Sequence, residues 1–229
     1  MWLKIAFLLA IASGCATSTR SVSPSPRLAG DAIEQGDVIL RDNFDDPAGG
    51  RFPRNTWFPG IDHDYADGEY YIRLAPSFAS EGQMVGPDLL FANTEIEVDA
   101  RLVGDTETRW IGILCRLEVR DGALAGGYAL VIRPATGWVS LARVGANSNV
   151  RLVPDQISAA VRRGNSTNIL ELTWAGTTIV ARINGTVVAS VRDGALQRGR
   201  MGLVVGRPEP IRVEGRFDNL VIREASIER

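Results

Sequence analysis

The feature that most constrains this chain is an alternation of apolar and polar residues that repeats from Asp37 almost to the carboxyl end. Between positions 94 and 102, Ile96, Val98, Ala100 and Leu102 alternate with Glu95, Glu97, Asp99 and Arg101. A strand with one face against a core and the other turned away requires that pattern. The same period runs through 110–119, 128–133, 138–144, 168–174, 177–183, 186–191, 200–205 and 211–223. Turn chemistry separates these runs. Asn184-Gly185 between two β-branched segments predicts a type I′ hairpin, which needs positive φ at both positions. Asp67-Gly68, Asp121-Gly122, Ala175-Gly176 and Asp193-Gly194 punctuate the others. Only 154–161, with Pro154 at its start, reads as a short helix. Many short strands with one apolar face each predict an all-β, two-sheet antiparallel jelly-roll sandwich. No fixed repeat is present, which argues against a propeller or solenoid.

The first 36 residues follow a different logic. Lys4 makes the extreme amino end positive, and 5–12 is apolar but too short to span a bilayer, which takes about 20 residues. The run ends in Ala12-Ser13-Gly14-Cys15, which resembles the lipobox of bacterial lipoproteins, although Leu is commoner where Ala12 stands. That resemblance implies a signal peptide over 1–14, cleavage before Cys15, and lipid on the Cys15 sulfur and amino group. Several acyl chains at about 0.8 kcal/mol per buried methylene give stable anchoring to a lipid bilayer. Ala16 rather than Asp follows, so the inner-membrane retention signal is missing, and the expected location is the outward-facing bacterial cell envelope. Residues 15–36, rich in Ser, Thr and Pro, read as a tether, and 37–229 as one folded domain.

Composition excludes several function classes. With 25 basic and 27 acidic residues the chain has no electrostatic footprint for nucleic acid. Two cysteines and one histidine argue against a disulfide scaffold, a zinc site or a histidine-based triad. Cys115 continues the alternation of Ile111, Ile113 and Leu117, and reads as a small buried hydrophobe.

The order of elements carries a further resemblance. Asp42-Asn43-Phe44-Asp45-Asp46 precedes Trp57; Asp67-Gly68-Glu69-Tyr70 opens a strand; then come the 95–102 strand, Gly112 to Arg116, Gly127-Tyr128 and Gly137-Trp138. Asn168-Ile169-Leu170, Asn184-Gly185 and Gly199 to Leu203 lead to Phe217-Asp218-Asn219-Leu220-Val221. This succession resembles the concanavalin A-like lectin/glucanase sandwich over 37–224, with the closest likeness to laminin-G-like bacterial modules and 3-keto-disaccharide hydrolase-like domains. In the related glucanases an Asp near the start of the last strand ligates a structural calcium with main-chain carbonyls. Asp218, Gly68 and the stretch around Asp42 match those positions, and calcium takes such hard oxygen ligands. The Asp62, Asp64, Asp67 group fails as an EF-hand loop, because Ala66 and Arg73 stand where ligands are required.

Two sets of residues are candidates for ligand chemistry. Glu95, Glu97 and Asp99 share a strand face, as carboxylates of laminarinase-like enzymes do, but the element order aligns this strand with a non-catalytic one. With Ile111, Ile113 and Cys115 in the core, Trp110 and Arg116 point to the opposite face. A Trp and an Arg beside an acidic strand can line a groove in which sugars stack on the aromatic ring. Tyr128 and Trp138 stand at its rim, and Trp57 and Trp174 read as core. No catalytic residue is assigned. The leading expectation is an envelope-anchored module that binds a glycan or other envelope ligand without catalysis. The alternatives are a structural or protein-interaction domain and, last, a glycoside hydrolase.

Overall fold

The computed structural model describes residues 33–56, 59–104, 107–120, 123–146 and 149–227. The expected signal peptide, Cys15, the expected tether as far as residue 32 and Trp57 lie outside the described residues, and residues 33–36, expected in the tether, instead begin the first strand. Fifteen strands form and, among the described residues, no helix. One sheet has eight strands in the order β13 (Thr186–Arg192), β12 (Thr178–Ile183), β11 (Asn168–Ala175), β5 (Thr94–Leu102), β15 (Val213–Ile227), β3 (Glu69–Leu74) and β2 (Ile61–Ala66). Its eighth strand, β1 (Ile33–Asp42), continues the position of β3: the first part of β15 pairs β3, and its second part, from Leu220 to Ile227, pairs β1. The other sheet runs β10 (Gln156–Ile157), β8 (Trp138–Gly145), β7 (Ala123–Arg133), β6 (Trp110–Arg120), β14 (Arg200–Gly206) and β4 (Gly82–Val85), with β9 (Asn149–Arg151) also on β8. Every pairing is antiparallel. The expected two-sheet jelly-roll sandwich is the fold.

The alternation predicted from the sequence supplies the core. Ile96, Val98, Ala100 and Leu102 on β5 meet Ile111, Ile113, Leu130, Ile132, Leu203 and Val205 from the facing sheet, all fully buried. Cys115 and Trp174 join them, as expected. One end of the core is closed by Phe44, Phe52, Tyr65 and Tyr70, whose rings pack with centroids 5.0–5.8 Å apart. Asn184 and Gly185 adopt φ of 51° and 78°, the type I′ geometry expected between β12 and β13.

Beyond the start of β1 inside the expected tether, the structure departs from the sequence reading of the fold in three places. The helix expected over 154–161 does not form. Gln156 and Ile157 pair with Val139 and Trp138 as β10, and the Ser158 N–H donates to the Gly137 carbonyl at 2.9 Å. Too few residues remain to repay helix nucleation. Second, β6, β7 and β14 are apolar on both faces rather than one. Trp110, Leu114, Leu117, Leu124, Ala129, Val131, Val144 and Val204 form a second buried cluster on the outer side of the seven-stranded sheet, with Met84, Trp138 and Ala142 packed against it.

The third departure is a bulge in β6. Arg116 has φ of 46°, and the pairing with β7 jumps from Cys115–Tyr128 to Glu118–Gly126. Such an extra residue reverses the facing of everything after it. Leu117, expected in the core, therefore joins the outer cluster. Arg116, expected on the outer face, turns into the end of the sandwich and is 1% exposed. Its guanidinium donates to the Leu196 carbonyl at 2.6 Å, the Gly176 carbonyl at 3.1 Å and Asn93 Oδ1 at 3.2 Å, and it lies over the Trp174 ring. The groups it joins lie on three separate loops, so Arg116 holds the end of the fold together. Replacing Arg116 with Met should strand buried acceptors at a cost of about 3 kcal/mol. A fall in melting temperature of roughly 6–12 °C is expected in a thermal melt. An unchanged melt would refute the assigned role.

Candidate functional site

The outer face of the seven-stranded sheet is built on a row of residues that lie level across its strands. Gly82 on β4 pairs with Gly206 on β14, which pairs with Trp110 on β6. Ile111 pairs with Ile132, so Trp110 is level with Arg133 on β7, and Arg133 pairs with Trp138 on β8. The glycines at the start of the row make room for the indole: a Cβ on Gly206 would overlap the Trp110 ring, and one on Gly82 would meet it at 2.8 Å. At the other end the Arg133 guanidinium lies 5.2 Å above the centroid of Trp138. Two strand spacings separate the strands carrying the two tryptophans, about 10 Å. Below the row the floor is small and apolar, with Val131, Val204, Ala129 and Ala142, and Ser140 adds a hydroxyl.

Polar groups with unmet hydrogen-bonding capacity gather near Trp138. Arg133 Nε is buried without a partner, and burial pulls the pKa of its guanidinium down. Asp155 opposes that shift, yet its Oδ2 is held by Arg151 Nε at 2.8 Å, and its buried Oδ1 has no partner. Sequence reasoning missed Arg133 and Asp155. The signal for Arg133 was present, since it keeps the parity of Val131 on an outer face; Asp155 sits in a loop where no periodicity speaks.

The six ligand-binding candidates do not form one groove. Trp110 and Trp138 share the outer face of the seven-stranded sheet. Tyr128, expected at the rim, is 1% exposed and belongs to the core. Its hydroxyl donates to Asp193 Oδ1 at 2.6 Å, and burial pushes its pKa up to about 12. Arg116 is committed to the loops described above. Glu95 and Glu97 lie on β5 in the other sheet, so the expected meeting of Trp110 with an acidic strand does not occur.

The outer face of the eight-stranded sheet is a lattice of paired charges. Arg101 donates to both oxygens of Glu69, Arg216 joins Glu69 to Glu214, and Arg73 joins Glu214 to Asp62. Glu171 is paired with Arg182. Glu95 is buried and accepts from Gln35 Nε2 at 2.7 Å and Thr173 Oγ1 at 3.3 Å. Nothing in this surface resembles a substrate cleft, and a polar outer strand face is what the parity of Glu95, Glu97 and Asp99 foretold.

The calcium candidates fall in one neighbourhood of the same sheet. Asp218 lines a small pocket with Glu69, Asp99, Arg101, Thr167 and Arg216. Burial, then Asp99, Glu69 and Asp45, raise the pKa of its carboxyl against the opposing Asn219 N–H bond. A Cβ on Gly68 would lie 2.9 Å from Asp45 Oδ1, so the strand-opening turn touches the same acidic cluster. Asparagines meet these carboxylates: Asn43 donates to Asp45, and Asn219 to Asp99 and Asp218. Asp42 instead accepts the Phe44 N–H at 2.9 Å. Among the described residues no three His, Cys, Asp or Glu side chains converge as a metal site. An ion here would depend on Asp218 and main-chain carbonyls.

Glu97 stands between Glu95 and Glu171, and its pKa is raised, by burial first and then by those two neighbours, with Arg223 opposing. A carboxyl raised in the folded state weakens the fold while ionised, and the penalty disappears as pH falls through its folded pKa. Glu97→Gln should therefore melt higher than the parent at pH 8, with the gap closing on acidification into the carboxylate range. A variant that melts no higher at pH 8 contradicts this.

No protein-family model matches the sequence, and no curated protein matches it. Solved structures do resemble the chain. A Bacillus subtilis protein of unknown function with a galectin-like fold has a TM-score of 0.64 at 11% identity, covering 86% of this chain and 100% of its own. The carbohydrate-binding module CBM66 from Bacillus subtilis gives 0.58 at 12% identity, covering 75% of this chain and 100% of that one. SCLam, a non-specific endo-β-1,3(4)-glucanase of family GH16, gives 0.59 at 11% identity over 82% of this chain and 91% of that one. At such identities the likeness establishes the architecture alone: the chain is a jelly-roll β-sandwich of the concanavalin A-like and galectin-like kind.

Proposed function

We propose that this protein is an envelope lipoprotein, anchored through acylated Cys15, whose sandwich binds a glycan without catalysis on the outer face of the seven-stranded sheet. The half-buried Trp138, with the Arg133 guanidinium on its ring, carries the reading, while Trp110 is 4% exposed and packs into the same sheet face. Indole faces stack on the apolar faces of pyranose rings, and charged groups beside them bond the hydroxyls. The resemblance to a carbohydrate-binding module supports it. A glucanase resembles the chain as closely, so the carboxyl groups decide between the two readings. A retaining glycosidase needs two carboxyl groups about 5–5.5 Å apart, and an inverting one about 6.5–9.5 Å. The strands of this sheet contain one carboxylate, Glu118, next to its partner Arg120 at the end of β6.

The test is a glycan-array screen with the purified full chain, followed by titration calorimetry on the best binder. Trp138→Ala should weaken binding by about tenfold or more, equivalent to about 1.4 kcal/mol, in a variant whose melt shows it still folded at the titration temperature. Binding to no glycan overturns the reading and leaves an envelope scaffold as the alternative. We also propose a structural calcium at Asp218, beside Gly68 and the Asp42–Asp45 stretch. Chelator should then lower the melting temperature, and Asp218→Asn should abolish the difference between calcium and chelator; identical melts in both would exclude the ion.

A further inference from the structure

The strands of the two sheets differ in their charged residues. Those of the eight-stranded sheet contain thirteen Asp and Glu against seven Arg. Those of the seven-stranded sheet contain six Arg against the single Glu118.

Most of the six arginines are already committed. Arg120 pairs with Glu118, Arg143 with Asp193, Arg151 with Asp155 and Arg200 with Asp88, while Arg116 is taken up by carbonyls and Asn93. Arg133 differs. Its guanidinium lies on the Trp138 ring and, among the described residues, makes no hydrogen bond or ion pair, whereas Arg116 leaves only its Nε unmet. Another cation stands close by, since Arg163 packs over Gly137 in the β7–β8 turn and donates to the Ala135 carbonyl. The nearest acid, Asp155, is held by Arg151 through one oxygen and leaves the other buried and unmet. An arginine with no protein partner therefore lies on a half-buried aromatic ring.

We infer that the glycan bound on this face is anionic, and that the Arg133 guanidinium takes the carboxylate or sulfate of a sugar stacked on Trp138. This rests on the glycan-binding reading and narrows it to a ligand class. A planar guanidinium offers two parallel N–H donors to such an anion. A neutral sugar would leave Arg133 with only the charge of Asp155, which it shares with Arg151, in a partly dehydrated position.

Calorimetric titration of the full chain tests this with three probes: a galacturonic acid trisaccharide, a sulfated galactose trisaccharide, and the neutral galactose trisaccharide of the same linkage. At low salt at least one acidic probe should bind about tenfold or more tighter than the neutral one. The margin should shrink as salt rises from roughly 50 to roughly 500 mM. Which acidic probe binds better identifies the anion. Arg133→Met should remove the preference, Arg133→Lys should retain part of it, and Trp138→Ala should weaken acidic and neutral probes alike. If Arg133→Met fails to fold, the Lys variant and the salt series still decide the matter. A neutral probe that binds as tightly as the acidic ones overturns the inference and leaves glycan binding standing. A preference that survives in Arg133→Met overturns the role of Arg133. Failure of both acidic probes overturns the inference outright, and failure on the whole array removes the glycan reading with it.

Discussion

The left-handed backbone at Arg116 is the point on which the rest of the sandwich depends. An L-residue pays about 1–2 kcal/mol to adopt that conformation. The cost is met because the guanidinium then reaches acceptors on the β4–β5 loop, the β11–β12 turn and the segment before β14. Two sheets packed face to face need such a closure at their ends, where strand pairing has run out and carbonyls would otherwise lie buried and unmet. At the opposite end Arg207 plays a matching part, donating to the carbonyls of Leu74, Ala75 and Phe78. Both arginines are 1% exposed and neither has a carboxylate. Neutral acceptors hold each charge, and each is fixed in the structure rather than offered to a ligand.

That closure also shapes the outer surface. Because the bulge turns Leu117 outward, the outer cluster extends from Trp110 through Leu114 along the whole length of β6. An apolar second face is unusual for an antiparallel sheet, in which one side is commonly solvated. The opposite sheet shows the ordinary arrangement, an outer face of arginine–carboxylate pairs. Exposed pairs of this kind add little stability individually, but a network such as Asp62–Arg73–Glu214–Arg216–Glu69–Arg101 fixes its side chains and leaves few charges unmatched. The two outer surfaces differ in kind, one polar and internally satisfied, the other apolar with unmet polar groups beside one tryptophan.

Much of the architecture was legible because the relevant signals are local. Period two in β5, β11 and β15 marks core residues such as Ile96, Leu172 and Phe217, and Asn184-Gly185 fixes a hairpin with no help from the rest of the chain. The reading failed where a single residue changes parity. Nothing in the string Cys115-Arg116-Leu117 announces a bulge, because its cause lies in carbonyls at Gly176 and Leu196, some 60 and 80 positions away. Once parity was carried through the bulge unbroken, Arg116 was assigned to a ligand face and Leu117 to the core. Tyr128 failed for a related reason, since its acceptor Asp193 comes from a distant loop. The acidic strand and Trp110 were each read on a correct face, but alternation cannot reveal which sheet a strand joins.

What separates Arg133 from the other arginines of its sheet is therefore an argument about satisfaction and not about position. A protein can leave an arginine over a tryptophan for packing alone, since a guanidinium covers apolar surface well. Packing alone does not account for a guanidinium that meets no carbonyl or carboxylate, when the other arginines in the strands of this sheet each hold at least one. Arg133 joins no two parts of the fold, so its place on a half-buried tryptophan is best understood through what it binds.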